Sequence, residues 1–312
     1  MPLLSRNYVL LAKLETTYGQ DANPTDSDAI LVENLEIRPV YDVIERDNVA
    51  VSGLSKIKHL IGRRHIEISF DVELRGAGTG DGDTPPDFAP LLKACKMAET
   101  IVGDPDYYVE YKPTSDADPS VTIYAYKDGI VHKAVGCVGS WSLEGEVGQP
   151  CRFRFTFQGK LAGIADSSQP EPTFQNLVPP VLLGATFSYG GWQGVISRFS
   201  LNLNNTIAPR LDVTEESGIK GFWISDRKPE GSVDPEAVTI SERNVWQNLQ
   251  NVNEAQLQLV IGSETANKCT ITCPKCAKKE VSWGDRDGIA IYEITFGIYR
   301  NTGDDEITLR FD

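Results

Sequence analysis

Hydrophobic and polar residues alternate with a period of two along much of the chain. Ile66, Ile68, Phe70, Val72 and Leu74 are interleaved with Glu67, Ser69, Asp71 and Glu73, which predicts a strand with one buried and one wet face. The same alternation recurs at Phe153-Phe155-Phe157, Phe199-Leu201-Leu203, Leu257-Leu259-Ile261 and Ile294-Phe296-Ile298. The regular structure is therefore expected to be mainly antiparallel β. Two stretches have helical spacing instead. Asp87 stands where it can cap a helix carrying Phe88, Leu91, Leu92 and Cys95 on one stripe, and Ser241 precedes Val245, Leu249 and Val252, which share a face in the same way.

The pattern repeats itself. The segment from Ile61 to Glu73 matches that from Ile224 to Glu236, 163 residues further on, pairing Arg64 with Arg227, Glu67 with Glu230, Ser69 with Ser232, Asp71 with Asp234 and Glu73 with Glu236. The helical stripes correspond at a shift of 157, and Thr156-Phe157 corresponds to Thr295-Phe296 at 139. A falling shift means shorter loops in the second copy. The Ser- and Pro-rich stretch Ala165-Asp-Ser-Ser-Gln-Pro-Glu-Pro-Thr reads as the connection between copies. The expected organisation is a first copy over residues 1–164, a linker over 165–180 and a second copy over 181–312.

Length and composition fit this organisation. A chain of 312 residues can bury two sizeable cores, and 40% hydrophobic with 24% charged residues is ordinary for a folded protein. The formal charge of -14 repels nucleic acid on average, although a like-charged wall lets a polyanion slide past without adhering. Lys13 and Glu15 interrupt the apolar residues near the start and argue against a signal-peptide core. No run approaches the roughly 20 apolar residues of a membrane-spanning helix.

Several separated motifs, in order, carry a resemblance. Lys13-Leu-Glu-Thr-Thr-Tyr-Gly-Gln-Asp-Ala-Asn-Pro-Thr, Pro85-Pro86 before Leu91-Leu92-Lys-Ala-Cys, and Val178-Pro-Pro-Val-Leu-Leu-Gly-Ala-Thr-Phe are similar to segments of the tail tube proteins of long-tailed bacteriophages. So are Asn205-Thr-Ile-Ala-Pro-Arg-Leu-Asp-Val, Gly231-Ser-Val-Asp-Pro-Glu-Ala and Trp283-Gly-Asp-Arg-Asp-Gly. The resemblance runs nearly end to end. It implies two tandem, internally repeated β-sandwich or barrel-like tube domains, each with one short helix, in a structural subunit of stacked rings around a DNA-conducting channel. It further implies a continuous inner β-barrel made by strands of neighbouring subunits, with a tape-measure protein inside, connector and terminator proteins at one end and tip proteins at the other. Expected location is the virion tail, after assembly in the host cytoplasm. A duplicated chain would let three copies imitate a sixfold ring, a ring of six full chains being the alternative.

Other chemistry is weaker in the sequence. Cys269, Cys273 and Cys276 resemble one knuckle of a zinc ribbon, but no second Cys pair or His is near, and His59, His65 and His132 all lie in the first half. No metal or cofactor is expected, and reduced buried thiols are the expectation for all six cysteines. Gly76-Ala-Gly-Thr-Gly-Asp-Gly-Asp follows a strand but lacks the Lys-Ser/Thr of a phosphate-binding loop. Acidic groups near Asp81 and Asp285 read as turns, the latter entering the last strand. No nucleophile or acid-base pair has a recognisable context, so an enzyme is not expected. The competing class is a tandem β-sandwich module for receptor binding or decoration; a distal-tail or injection-machine tube component would share the fold.

Candidate assembly residues are Arg46, Asp47, Arg64, Arg210, Asp212 and Arg227. Arg64 and Arg227 head strands that carry carboxylates and should pair with acidic groups. Val40 to Gly62 and Asn205 to Ser225 are longer than hairpin loops and are expected to reach toward an adjacent ring, loose in the free subunit and ordered on assembly. Deleting Asp47 to Ser55 is then expected to leave a folded subunit unable to elongate tubes.

Overall fold

In the computed structural model, which describes residues 3–47, 56–172, 174–175 and 177–312, each alternating segment lies in an antiparallel strand. The first half contains β1 (Tyr8–Leu14), β2 (Ala29–Ile30), β3 (Glu33–Ile44), β4 (Leu60–Glu73), α1 (Ala89–Ala94), β5 (Met97–Val102), β6 (Tyr108–Pro113), β7 (Val121–Lys127), β8 (Ile130–Glu146) and β9 (Arg152–Asp166). The second contains β10 (Thr186–Tyr189), β11 (Arg198–Asn202), β12 (Asn205–Leu211), β13 (Ile219–Arg227), β14 (Glu230–Val233), α2 (Val245–Gln250), β15 (Glu254–Ile261), β16 (Cys269–Arg286), β17 (Ile289–Tyr299) and β18 (Thr308–Phe311). β9 thus runs two residues into the stretch read as a linker.

The strands are held by the residues that announced them. Ile66, Ile68, Phe70 and Val72 are buried, as are Phe153, Phe155 and Phe157 on the neighbouring strand. Phe70 stands opposite Phe155 in the β4–β9 register, with ring centroids 5.9 Å apart, an aromatic pair that adds to the area each ring removes from water. Two-residue turns close two hairpins: Asp128-Gly129 joins β7 to β8 and Asp287-Gly288 joins β16 to β17, each residue at positive φ, the backbone that such turns require. The turn entering β17 is thus Asp287-Gly288 alone: Asp285 and Arg286 still belong to β16, opposite Ala290 and Ile289, and a further strand, β18, follows β17.

Both helices are short and their caps differ from expectation. Phe88, not Asp87, stands at the N-cap of α1, because the Asp87 carboxylate is drawn to Arg75 at 2.6 Å. Asn244, not Ser241, caps α2, accepting a hydrogen bond from the Gln247 N–H at 2.9 Å. Val252 lies past the end of α2, at positive φ and exposed, so it does not extend the apolar stripe.

A single antiparallel run, in the order β3, β4, β9, β8, β11, β14, β17, β16, crosses from one half to the other. The halves also share β18, which pairs with β16 on one edge and with β6 on the other. Gly76 touches the second half so closely that a Cβ there would lie 2.0 Å from the Ala266 carbonyl oxygen. Instead of the two cores that length suggested, one contiguous buried cluster takes residues from both halves. Strand pairing across the boundary leaves no solvent layer to divide them.

Candidate assembly interface

The seam between the halves is the pairing of β8 with β11. Ser142, Leu143, Glu144, Gly145 and Glu146 stand opposite Asn202, Leu201, Ser200, Phe199 and Arg198. Leu143, Leu201 and Phe199 are buried beneath it, while Glu144 and Glu146 are exposed on the other face. A shallow groove there is lined by Glu144, Glu146, Arg152, Arg198, Ser200 and Ser232. Asp234, buried, fixes the start of β11 by accepting hydrogen bonds from the Ser197 and Arg198 N–H groups, each at 2.9 Å, and pairs with Arg286 at 2.9 Å. Asp71 holds the start of β3 similarly, accepting from the Asn34 side-chain amide at 2.7 Å.

Beyond the seam, β12 and β13 form a separate two-stranded sheet that lies back over the first half. Ile219, Phe222 and Ile224 pack on Val138 of β8, with Ile207 beside them, and the Phe222 ring lies 5.5 Å from the imidazole of His65. Tyr18 pins the hairpin. Its hydroxyl accepts from the Phe222 N–H at 2.6 Å and lies 2.9 and 3.1 Å from the carbonyl oxygens of Phe222 and Gly136, to which it can donate. Burial pushes its pKa up to about 12, against the lowering effect of the Phe222 hydrogen bond. Gly221 is required here, since a Cβ would come within 2.5 Å of the Tyr18 ring. At the turn, Lys160 reaches Glu215 at 2.9 Å and the Arg64 guanidinium pairs with Glu216.

Asn205 to Ser225 is therefore ordered within the single chain, against the expectation of a loose arm: an apolar face and the Tyr18 hydroxyl fix it to the opposite half. At the ends of Val40 to Gly62, residues 40–44 lie in β3 and 60–62 in β4, which pair as a hairpin; residues 48–55, and with them most of the Asp47 to Ser55 deletion, lie outside the described residues. Among the described residues, the edge of β3 away from β4 has no partner strand, and neither does the edge of β16 past Ala277, away from β17. These open edges terminate the two ends of the run. An open edge exposes unpaired backbone donors and acceptors and templates the addition of another strand.

Sequence comparison agrees with this geometry: the family profile described as "Phage tail tube protein" matches residues 5–312. The chain belongs to the phage tail tube protein family. A comparison with curated proteins found no match. Family membership makes this mainly β chain a structural subunit of the phage tail tube, a virion component that assembles with copies of itself and with other tail parts.

The other sequence candidates of the tube protein fall in different places. Arg64 joins the second hairpin through Glu216, whereas Arg227 is turned away, toward Asp304 at 3.0 Å and Glu306 at 3.2 Å. Both pair with carboxylates. Asp212 caps the turn of the second hairpin through the Thr214 N–H at 2.9 Å and also meets Lys220, Arg210 is exposed, and Asp47 meets Lys56 at 3.6 Å; Arg46 lies next to Asp47 at the far end of the first hairpin. The structure does not bring these six residues together. Cys269, Cys273 and Cys276 are buried; burial pushes the Cys269 thiol up, and a hydrogen bond with Cys276 together with burial does the same for Cys273. Among the described residues no group of His, Cys, Asp or Glu is arranged to hold a metal ion. Sequence reasoning missed Tyr18, Asp234 and the seam, although the repeated Asp71 and Asp234 carried a signal for the second of these.

Proposed function

We propose that the chain is two copies of one tube domain and that three chains close a ring of pseudo-sixfold symmetry, each ring stacking on the next around the DNA channel. Support comes from strand order: β3, β4, β9 and β8 in the first half follow the same antiparallel succession as β11, β14, β17 and β16 in the second. In this correspondence Leu143, opposite Phe153, matches Trp283, opposite Tyr292. One observation carries the reading: Leu143 is fully buried by the seam with β11, whereas Trp283 is 62% exposed at an edge that has no partner strand among the described residues. A second seam, between β16 of one chain and β3 of the next, would cover it.

The register of that seam follows from the first. Ser282, Trp283, Gly284, Asp285 and Arg286 would stand opposite Arg38, Ile37, Glu36, Leu35 and Asn34 of the neighbouring chain, just as Ser142 to Glu146 stand opposite Asn202 to Arg198. Head-to-tail contacts of this kind generate rings. Glu67, Glu144, Glu146 and Glu230, on the face opposite the core, would line the channel, and the chain would have no enzymatic role. A tape-measure protein inside, terminator and tip proteins at the ends, and assembly in the host cytoplasm complete the reading.

Oxidation of the Arg38→Cys/Ser282→Cys variant in assembled protein tests the register, with electron microscopy of the same sample. Disulfide-linked chains in rings of three are expected; rings of six full chains, or assembled rings without cross-linking, would reject it.

A further inference from the structure

The first hairpin carries an apolar pair that the described residues of its own chain leave uncovered. Val43 and Ile61 stand opposite one another in the β3–β4 register and are 55% and 52% exposed. Ile44 and Leu60, opposite one another on the other face of the hairpin, and Ile57 are exposed as well, aliphatic surface that a soluble protein seldom leaves in water without a partner. Their counterparts in the second hairpin are Ile207 and Ile224, also opposite one another. There Ile224 is only 7% exposed, because the hairpin lies on Val138 of the other half. The same pair of positions is thus covered in one hairpin and bare in the other, and what differs is whether the adjoining half belongs to the same chain.

We propose that the first hairpin docks, within the ring, on the second half of a second copy of this chain, in the way that the second hairpin docks on the first half of its own. This inference rests on the ring reading above and names the partner surface. β3 and β16 end opposite ends of the strand run, so only another copy can offer its β16 and β17 to the hairpin. The place of Val138, opposite Gln158, is taken there by Ala277, opposite Gly297. Tyr299, half-exposed, leans across Gly297, where a Cβ would lie 2.5 Å from its hydroxyl and 2.9 Å from Lys279 Cε. It stands at the position of Lys160, whose ammonium grips the turn of the second hairpin. An aromatic ring in place of an ion pair suits a hairpin whose facing side chains are Val43 and Ile61. The arrangement places the first hairpin between neighbours of one ring, not between successive rings.

Two variants test the proposal. Val43→Asp/Ile61→Ser changes two side chains that are more than half exposed in the single chain, without placing like charges opposite one another, so its unfolding midpoint should fall by only a few degrees, while the concentration needed to form rings should rise at least tenfold. Ile61→Cys/Tyr299→Cys in assembled tubes should give disulfide-linked products that stop at the number of chains in one ring; the native cysteines, all buried, should not interfere. Unimpaired rings from the aspartate variant would overturn the proposal. So would assembled tubes without this cross-link, or a ladder of products running past one ring, which would mean that the hairpin bridges rings. Failure of the ring reading is separately visible: the unmodified chain would form no rings, and Arg38→Cys/Ser282→Cys would not link.

Discussion

Leu143 and Leu201 face each other across the strand pair that joins the two halves, and both are buried. Neither half alone would shield its leucine, so the contact couples the folding of the two. Leu201→Ala should destabilise the chain by about 2–5 kcal/mol, as large-to-small changes in packed cores do, and because the core is contiguous the loss should appear in a single cooperative transition. Urea denaturation followed by both fluorescence and circular dichroism checks this; two separate transitions in the unmodified protein would show that the halves melt independently.

Tyr18 reaches the second hairpin from the loop after β1, and its hydroxyl is the polar link between them. Tyr18→Phe keeps the ring that packs on Gly221 but leaves the buried Phe222 N–H without its partner, which costs about 1–3 kcal/mol. The loss should be local. Amide exchange at Phe222 and its neighbours in β13 should quicken by one to two orders of magnitude while exchange in β4 and β9 is unchanged, and uniform quickening would contradict a local role.

Lys278 is buried with its ammonium 4.5 Å from the centroid of the Tyr189 ring. Burial first, and Arg243 second, lower its pKa to about 8. An unfolded lysine titrates near 10.4, so between these values Lys278 by itself contributes a rise in stability with pH. Set against it are the buried thiols, which burial keeps protonated in the folded chain while unfolded cysteines ionise from about pH 8.5. Below pH ~8 the penalty of the buried charge is fully present. Lys278→Met should therefore raise the melting temperature at pH 7 and, by removing the lysine's opposing contribution, make stability fall more steeply from pH ~8 to ~10 than in the unmodified protein. Above pH ~10 unfolded tyrosines begin to lose protons that Tyr18, with its pKa near 12, retains, and stability should fall in both proteins. An unchanged pH slope in the methionine variant would remove Lys278 as the source.

Glu144 and Glu146 are exposed on the seam, on the face proposed to line the channel. Tubes of the unmodified protein should retain no DNA, whereas Glu144→Lys/Glu146→Lys tubes should retain it with an affinity that drops steeply with salt, as counterion release requires. Filter retention of labelled DNA across a salt series measures both. Equal retention by the two tubes would mean that these positions lie outside the channel.

What the sequence made legible was whatever depends on neighbours along the chain. Period-two alternation placed Ile66 to Val72 and Phe153 to Phe157 in strands, and the Asp-Gly before β17 was recognisable as a turn. The caps were less so. Asp87 has the chemistry of a helix cap, but Arg75 competes for its carboxylate, and that competition is tertiary. The alternation did not reveal that β8 pairs with β11, because an edge strand has the same alternation as an interior one. Length alone could not distinguish a loop from a hairpin at Asn205 to Ser225, whose apolar face becomes evident only once Val138 is known to lie beneath it.

The seam of β8 and β11 has a kinetic meaning as well. Two surfaces held on one chain meet at an effective concentration in the millimolar range or above, far beyond that of free subunits in solution. Every such contact therefore forms once, during folding, and never waits for an encounter. The proposed ring of three chains would have only three diffusive contacts to complete where six separate domains would need six, and every intermediate on the way would already contain at least one finished seam. Joining the halves also frees their surfaces to diverge: in the proposed ring Leu143 and Trp283 would answer to different partners, one inside the chain and one outside it, and each could change without spoiling the fit of the other.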